Sequence, residues 1–191
     1  MCRRPDGRIK MFYLVRHGKT DYSERNTKIY QGFGVNLSKL SEKGVRQVKE
    51  TALDDRLKGT DLILSSPYTR ALQTAAILSK ELGAELVVET DLHEWLANKN
   101  YVYEEEETAE KAYEEYMERA GEYPGGEERP WESAADMRKR VLGVLRKYAD
   151  YEKVVVACHG MMIQAVTGEM GEPYPKCGGI VEFNYDAAAD R

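Results

Sequence analysis

Three short apolar runs constrain this chain more than any other feature. "MFYLV" (11–15), "LILS" (62–65) and "KVVVAC" (153–158) carry almost no polar alternation. A strand that is apolar on both faces must be covered on both faces, as in a parallel sheet with helices packed against either side. "ELVVET" (85–90) and "IVEFNY" (180–185) are weaker strand candidates, and the second alternates as an edge strand does.

Helical patterns lie between these runs. After Ser41, the residues Val45, Val48, Ala52, Leu53 and Leu57 recur at helical spacing. In "SPYTRALQTAAILSKELG" the pattern predicts a helix with Ser66 as N-cap, Pro67 at the first position and Gly83 at the C-terminal cap. "SAADMRKRVLGVLRKY" predicts a helix from Ser133, with Asp136 three residues on, and "GMMIQAVTG" starts another after Gly160. Strands alternating with helices imply an α/β fold with a mainly parallel sheet. One stretch does not fit. Asn98 to Pro130 has no strand signal and is rich in Glu and Tyr, so it is read as a helical cap insertion closed by "PGG". Its "EEEE" run (104–107) is read as a solvated face. The chain is expected to form one domain over 1–191, with the insertion at about 98–130.

Of the 191 residues, 42% are hydrophobic, enough for a substantial core, and the net charge is −5. That charge argues against a general nucleic-acid binder, which needs a basic surface. The three cysteines, Cys2, Cys158 and Cys177, fit neither a zinc pattern nor a disulfide framework. Cys158 reads as a small core residue. "MCRRPDGRIK" is basic, but no hydrophobic stretch of signal-peptide length follows it. The expectation is a cytoplasmic protein with no membrane partner.

The chemistry-bearing residues gather at the carboxyl ends of the strands, where open α/β sheets bind ligands. Arg16 and His17 follow the first strand, Ser65, Ser66 and Arg70 the second, and His159 and Gly160 the "VVVAC" run. Two Arg and two His on one rim of an acidic protein, with helix N-termini adding N–H donors, suit a dianion such as a phosphoryl group. A cation beside an imidazole disfavours its protonated form. His17 can therefore be an unprotonated nucleophile while Arg16 holds the phosphoryl oxygens. A leaving alkoxide needs a proton, and Glu94 in "DLHEWL" is the best-placed acid. His93 beside it is expected to face away along an extended segment.

"LVRHGKT", "LSEKGVRQ", "LSSPYTRALQTA", "LHEW" and "CHGMMI" resemble, in order and spacing, the motifs of the histidine phosphatase superfamily over about residues 11–170. That superfamily includes cofactor-dependent phosphoglycerate mutases and many small phosphatases. The resemblance implies a three-layer α/β/α sandwich and hydrolysis without metal or organic cofactor. It implies that His17 is phosphorylated and that Glu94 is the proton donor. Arg16, Arg70 and His159 become the phosphate-binding partners, His159 counting among the catalytic residues as well. Met161, in the first turn after Gly160, is counted with the phosphate contacts. Where the family commonly has a phosphate-binding asparagine, this chain has Ser23, which has a shorter reach. The segment after the acidic residue, "WLANKNYVYEEEE", also departs from the family, which often has glycines and a second glutamate there. Trp95, Tyr101 and Tyr103 either line the substrate mouth or pack the insertion. The expected function is a phosphatase for a small phosphomonoester. The alternatives are a mutase-type phosphotransferase, disfavoured by the compact length, and a non-catalytic binder, disfavoured because every catalytic group is present.

Overall fold

The computed structural model describes residues 10–25, 34–170 and 174–185, so Cys2 and the basic start lie outside it. The five strands are β1 (Met11–Arg16), β2 (Leu62–Ser65), β3 (Glu85–Val88), β4 (Val154–Cys158) and β5 (Ile180–Asn184). The described helices are α1 (Gly34–Leu37), α2 (Glu42–Thr51), α3 (Thr69–Leu82), α4 (Glu106–Glu118), α5 (Ala134–Lys147) and α6 (Gly160–Thr167). The sheet order is β3-β2-β4-β1-β5. β1, β2, β3 and β4 pair in parallel, and β5 joins the edge antiparallel to β1.

The apolar runs explain the layers. Every residue of β2 and β4 is buried. Side-chain parity divides them between two cores. Phe12, Leu14, Leu62, Leu64, Val154 and Val156 pack with α5 and α6. Val15, Ile63, Val155 and Ala157 pack with Val48 of α2 and with Ala75 and Leu78 of α3. The result is the expected α/β/α sandwich.

The helix ends follow local chemistry. Ser41 Oγ accepts the Gly44 N–H, Ser133 Oγ accepts that of Asp136, and Gly83 closes α3 at φ 68°. Two expectations are corrected. α2 stops at Thr51, because Asp54 caps a separate 3₁₀ turn over Asp55–Leu57; Leu53 is therefore exposed while Leu57 is buried. α3 begins at Thr69, not after Ser66. Ser66 N–H donates to Ala157 O at 3.1 Å, which keeps Ser66 attached to β4 and delays the helix.

The stretch from 98 to 130 contains α4 and a 3₁₀ turn over Pro124–Gly126. Its inner side buries Tyr116 against Trp131, with ring centroids 5.6 Å apart. Of the four glutamates 104–107, Glu105, Glu106 and Glu107 are exposed as a solvated face requires, but Glu104 is half-buried and accepts from Asn98 Nδ2 at 2.6 Å. Among the described residues no helix is long and apolar enough to cross a membrane.

Candidate active site

The site begins where β1 ends. His17 N–H donates to Cys158 O at 2.9 Å, which joins the loop after β1 to the end of β4. Gly18 is required by contact, since a Cβ there would lie 2.5 Å from Gly44 O. Its N–H donates to Thr74 Oγ1 at 3.2 Å, so α3 also fixes the loop.

His17 is buried, and its Nδ1 lies 2.8 Å from Gly18 O. A carbonyl only accepts, so Nδ1 carries the proton and Nε2 keeps its lone pair. Arg70 Nε–H donates to that Nε2 at 3.2 Å. Burial, and then the nearby cations Arg70 and Arg16, push the His17 pKa down to about 3, against the opposing Gly18 bond. The imidazole is therefore neutral at ordinary pH, with its lone pair on Nε2.

Arg70 sits in the first turn of α3, only 4% exposed. It is held by Val35 O at 3.0 Å and lies over the Tyr68 ring. Arg16 donates to Pro175 O at 2.6 Å and lies over the Tyr174 ring. Gly160 leaves room for that ring, because a Cβ there would lie 3.1 Å from Tyr174 Cδ1. His159 closes the rim, with its ring 5.3 Å from that of His17. Burial, with Arg70 as the next cause, holds the His159 pKa well below the usual imidazole range. Two buried polar atoms on this rim, Arg16 Nε and His159 Nδ1, have no hydrogen-bond partner among the described residues. Buried groups of this kind are normally paired, so both point to an external partner.

Glu94 follows a 3₁₀ turn over Thr90–Leu92. Its Oε1 accepts the Trp95 N–H at 3.0 Å and the Met162 N–H at 3.2 Å, which places the carboxyl at the start of α6. Burial raises its pKa, opposed in turn by the Trp95 bond, Arg70, the Met162 bond and Arg140. The residue as a whole is only half-buried, but its carboxyl is enclosed by these groups. Met161 is buried in the first turn of α6, whose N–H groups have no intrahelical acceptor.

The structure thus brings Arg16, His17, Arg70, His159 and Glu94 together, with Met161 beside them. Ser23 stays apart. It is exposed, and its N–H donates to Asp21 Oδ1 at 3.0 Å in a local turn. His93 does not face away. The 3₁₀ turn before it breaks the extended path, and the buried ring lies 6.3 Å from that of Tyr68. Tyr101 O–H donates to His93 Nε2 at 2.6 Å, since His93 Nδ1–H is directed to Glu94 O. Tyr101 is 63% exposed. Trp95 packs on Tyr113 and Tyr116 of the insertion.

The sequence reading missed Thr74 and Arg140. Thr74 stands one helical turn after Arg70, a spacing that places both on one face. Arg140 makes a two-pronged pair with Glu132 at 2.5 and 2.9 Å and donates to Glu94 O at 3.5 Å, bracing the acid segment from α5. No local signal marks it. Among the described residues no three His, Cys, Asp or Glu side chains form a metal-ligating group. A separate cavity of about 510 Å³ lies between α4 and the 97–104 segment, and it shares no residue with the rim.

The family model for the histidine phosphatase superfamily (branch 1) matches residues 12–175. A Hydrogenobacter thermophilus protein provisionally named phosphoserine phosphatase 2 is 29% identical over 164 residues, covering 83% of this chain and 77% of its own. The 2,3-bisphosphoglycerate-dependent phosphoglycerate mutase of Thermoplasma acidophilum is 34% identical over 88 residues, covering 45% of this chain and 42% of its own. Among solved structures, a mycobacterial glucosyl-3-phosphoglycerate phosphatase complexed with VO3 superposes with a TM-score of 0.67 at 22% identity, covering 91% of this chain and 90% of that one. With the model match spanning every motif on the rim, the chain belongs to the histidine phosphatase superfamily.

Proposed function

We propose that the protein hydrolyses small phosphomonoesters through a phosphohistidine at His17 Nε2. The observation that carries this reading is the His17 tautomer. The Gly18 carbonyl holds Nδ1–H and leaves the Nε2 lone pair beside Arg70.

The steps follow from the groups on the rim. A substrate phosphoryl group takes the Arg70 N–H away from Nε2 and also draws on Arg16 Nε and His159 Nδ1. Nε2 attacks phosphorus, the ester P–O bond breaks, and the leaving oxygen takes the Glu94 proton. The raised Glu94 pKa suits this acid role. The resulting carboxylate then removes a proton from water as that water attacks phosphorus. The P–N bond breaks, and phosphate leaves with Glu94 protonated again.

The name of the relative similar across most of this chain makes phosphoserine the first substrate to assay. The shorter likeness to a mutase makes 3-phosphoglycerate the second. The test is a panel of phosphomonoesters with two readouts, inorganic phosphate and any transferred ester. Release of phosphate is expected. Isomerised ester without net phosphate would replace hydrolysis by transfer, and no turnover of any ester would leave a binding protein.

A further inference from the structure

We infer that Ser66 is a positioning residue: it fixes His159 as the Nδ1–H tautomer and so aims a neutral donor at the phosphoryl group. The inference rests on the site reading above but concerns a residue outside the set that binds or reacts. Ser66 and His159 are both fully buried. Ser66 Oγ lies 2.7 Å from His159 Nε2. The same Oγ accepts the Tyr68 N–H at 3.3 Å.

A hydroxyl has one proton to give. With Tyr68 N–H already occupying a lone pair, the Ser66 proton is directed to His159 Nε2. The reverse arrangement fails on two counts. If Nε2 carried the proton, two donors would converge on Oγ, and the Ser66 proton would be buried without an acceptor, at a cost typical of an unmade hydrogen bond. The lone pair would then sit on Nδ1, the buried nitrogen that has no partner among the described residues. Nδ1 is the ring nitrogen left for the phosphoryl oxygens, and a lone pair there would repel them. With Nε2 accepting from Ser66, Nδ1 becomes the donor those oxygens need.

The tautomer matters because protonation does not substitute for it. An imidazolium would donate from both nitrogens, but burial and the neighbouring Arg70 hold His159 neutral. The two adjacent serines divide their work, for Ser65 Oγ donates to Ser66 O at 2.8 Å and takes no part.

The test is ¹⁵N NMR of protein labelled at its three histidines, His17, His93 and His159, recorded free and with inorganic phosphate. Wild-type protein should show His159 protonated at Nδ1 in both states. Ser66→Ala should lose that single tautomer and lower kcat/KM by about 10²-fold, the scale of removing one transition-state donor. Ser66→Thr, which keeps the hydroxyl, should restore both. His159 protonated at Nε2 in the wild type would overturn the inference, and so would a Ser66→Ala protein with unchanged tautomer and kcat/KM. If the variant does not fold, the wild-type spectrum decides alone. If no phosphomonoester is turned over, the hydrolase reading fails, while the spectrum still decides the tautomer.

Discussion

The rim and the 98–130 stretch are built in opposite ways. On the rim, His17, Ser66, Arg70 and His159 are all buried, and His17 and Ser66 are tied by backbone bonds to the end of β4. In the 98–130 stretch, Tyr101, Val102 and Tyr103 are exposed, and Tyr101 and Ala120 hold left-handed backbone. The ion pairs there lie on the surface, as with Lys111 and Glu107 one turn apart at 2.6 Å. Tyr116, Tyr113, Met117, Ala112 and Tyr123 pack this stretch against the core, with Tyr116 fully buried beside Trp131. The contrast teaches that placement precise enough for chemistry comes from strand ends, while the 98–130 stretch presents exposed, polar surface.

The comparison is most sharply tested on the rim. His17→Ala should lower kcat by about 10⁴-fold or more, as loss of a nucleophile does, with circular dichroism unchanged. Turnover near the wild-type rate would break the account.

Glu94→Gln should slow alkyl phosphates by about 10²–10⁴-fold, the usual contribution of a general acid, and aryl phosphates much less. Because burial raises the Glu94 pKa, wild-type kcat/KM on an alkyl ester should fall as pH rises through that pKa, and the limb should vanish in Glu94→Gln. Equal small effects on both ester classes would remove Glu94 from the proposal.

The buried imidazole should also mark stability. His17 has a folded pKa of about 3, below the unfolded value of about 6.5. Its contribution is therefore complete above about pH 6.5 and is lost as pH falls from there toward 3. Each such group adds up to about 1.4 kcal/mol of lost stability per pH unit. Urea titrations at pH 7 and pH 5 should show a smaller acid loss for His17→Ala than for wild type. Equal losses would contradict the assigned burial.

The insertion should give the smallest effect. Lys111→Ala removes an exposed i,i+4 pair and should change stability by roughly 0.5 kcal/mol or less, with kcat unmoved. A large loss of activity would erase the division between rim and insertion.

The same division decides what could be read from sequence. Arg16, His17 and His159 directly follow apolar runs, and Arg70 lies in the first turn of a well-marked helix, so their convergence is legible from the strand pattern. The family motifs carry Glu94 as well. Ser66 reads as a helix N-cap in the sequence and not in the position it takes, because a cap and a partner for a distant histidine look alike locally. His93 turned inward on a 3₁₀ turn that no periodicity announces. Ser23 sits in a turn where its N–H donates to Asp21 Oδ1, a local contact that the Asp-x-Ser spacing already suggests. Arg140 acts across α5 onto Glu94, a contact made only by the tertiary packing.

The central claim is that the phosphoryl group passes through His17. Wild-type protein mixed with p-nitrophenyl phosphate, quenched in base within the first turnover and digested, should yield one peptide carrying the mass of a phosphoryl group, with the modification on Nε2 of His17. Phosphate found on another residue, or a full burst of p-nitrophenolate with no phosphorylated peptide under conditions that preserve phosphohistidine, would contradict it.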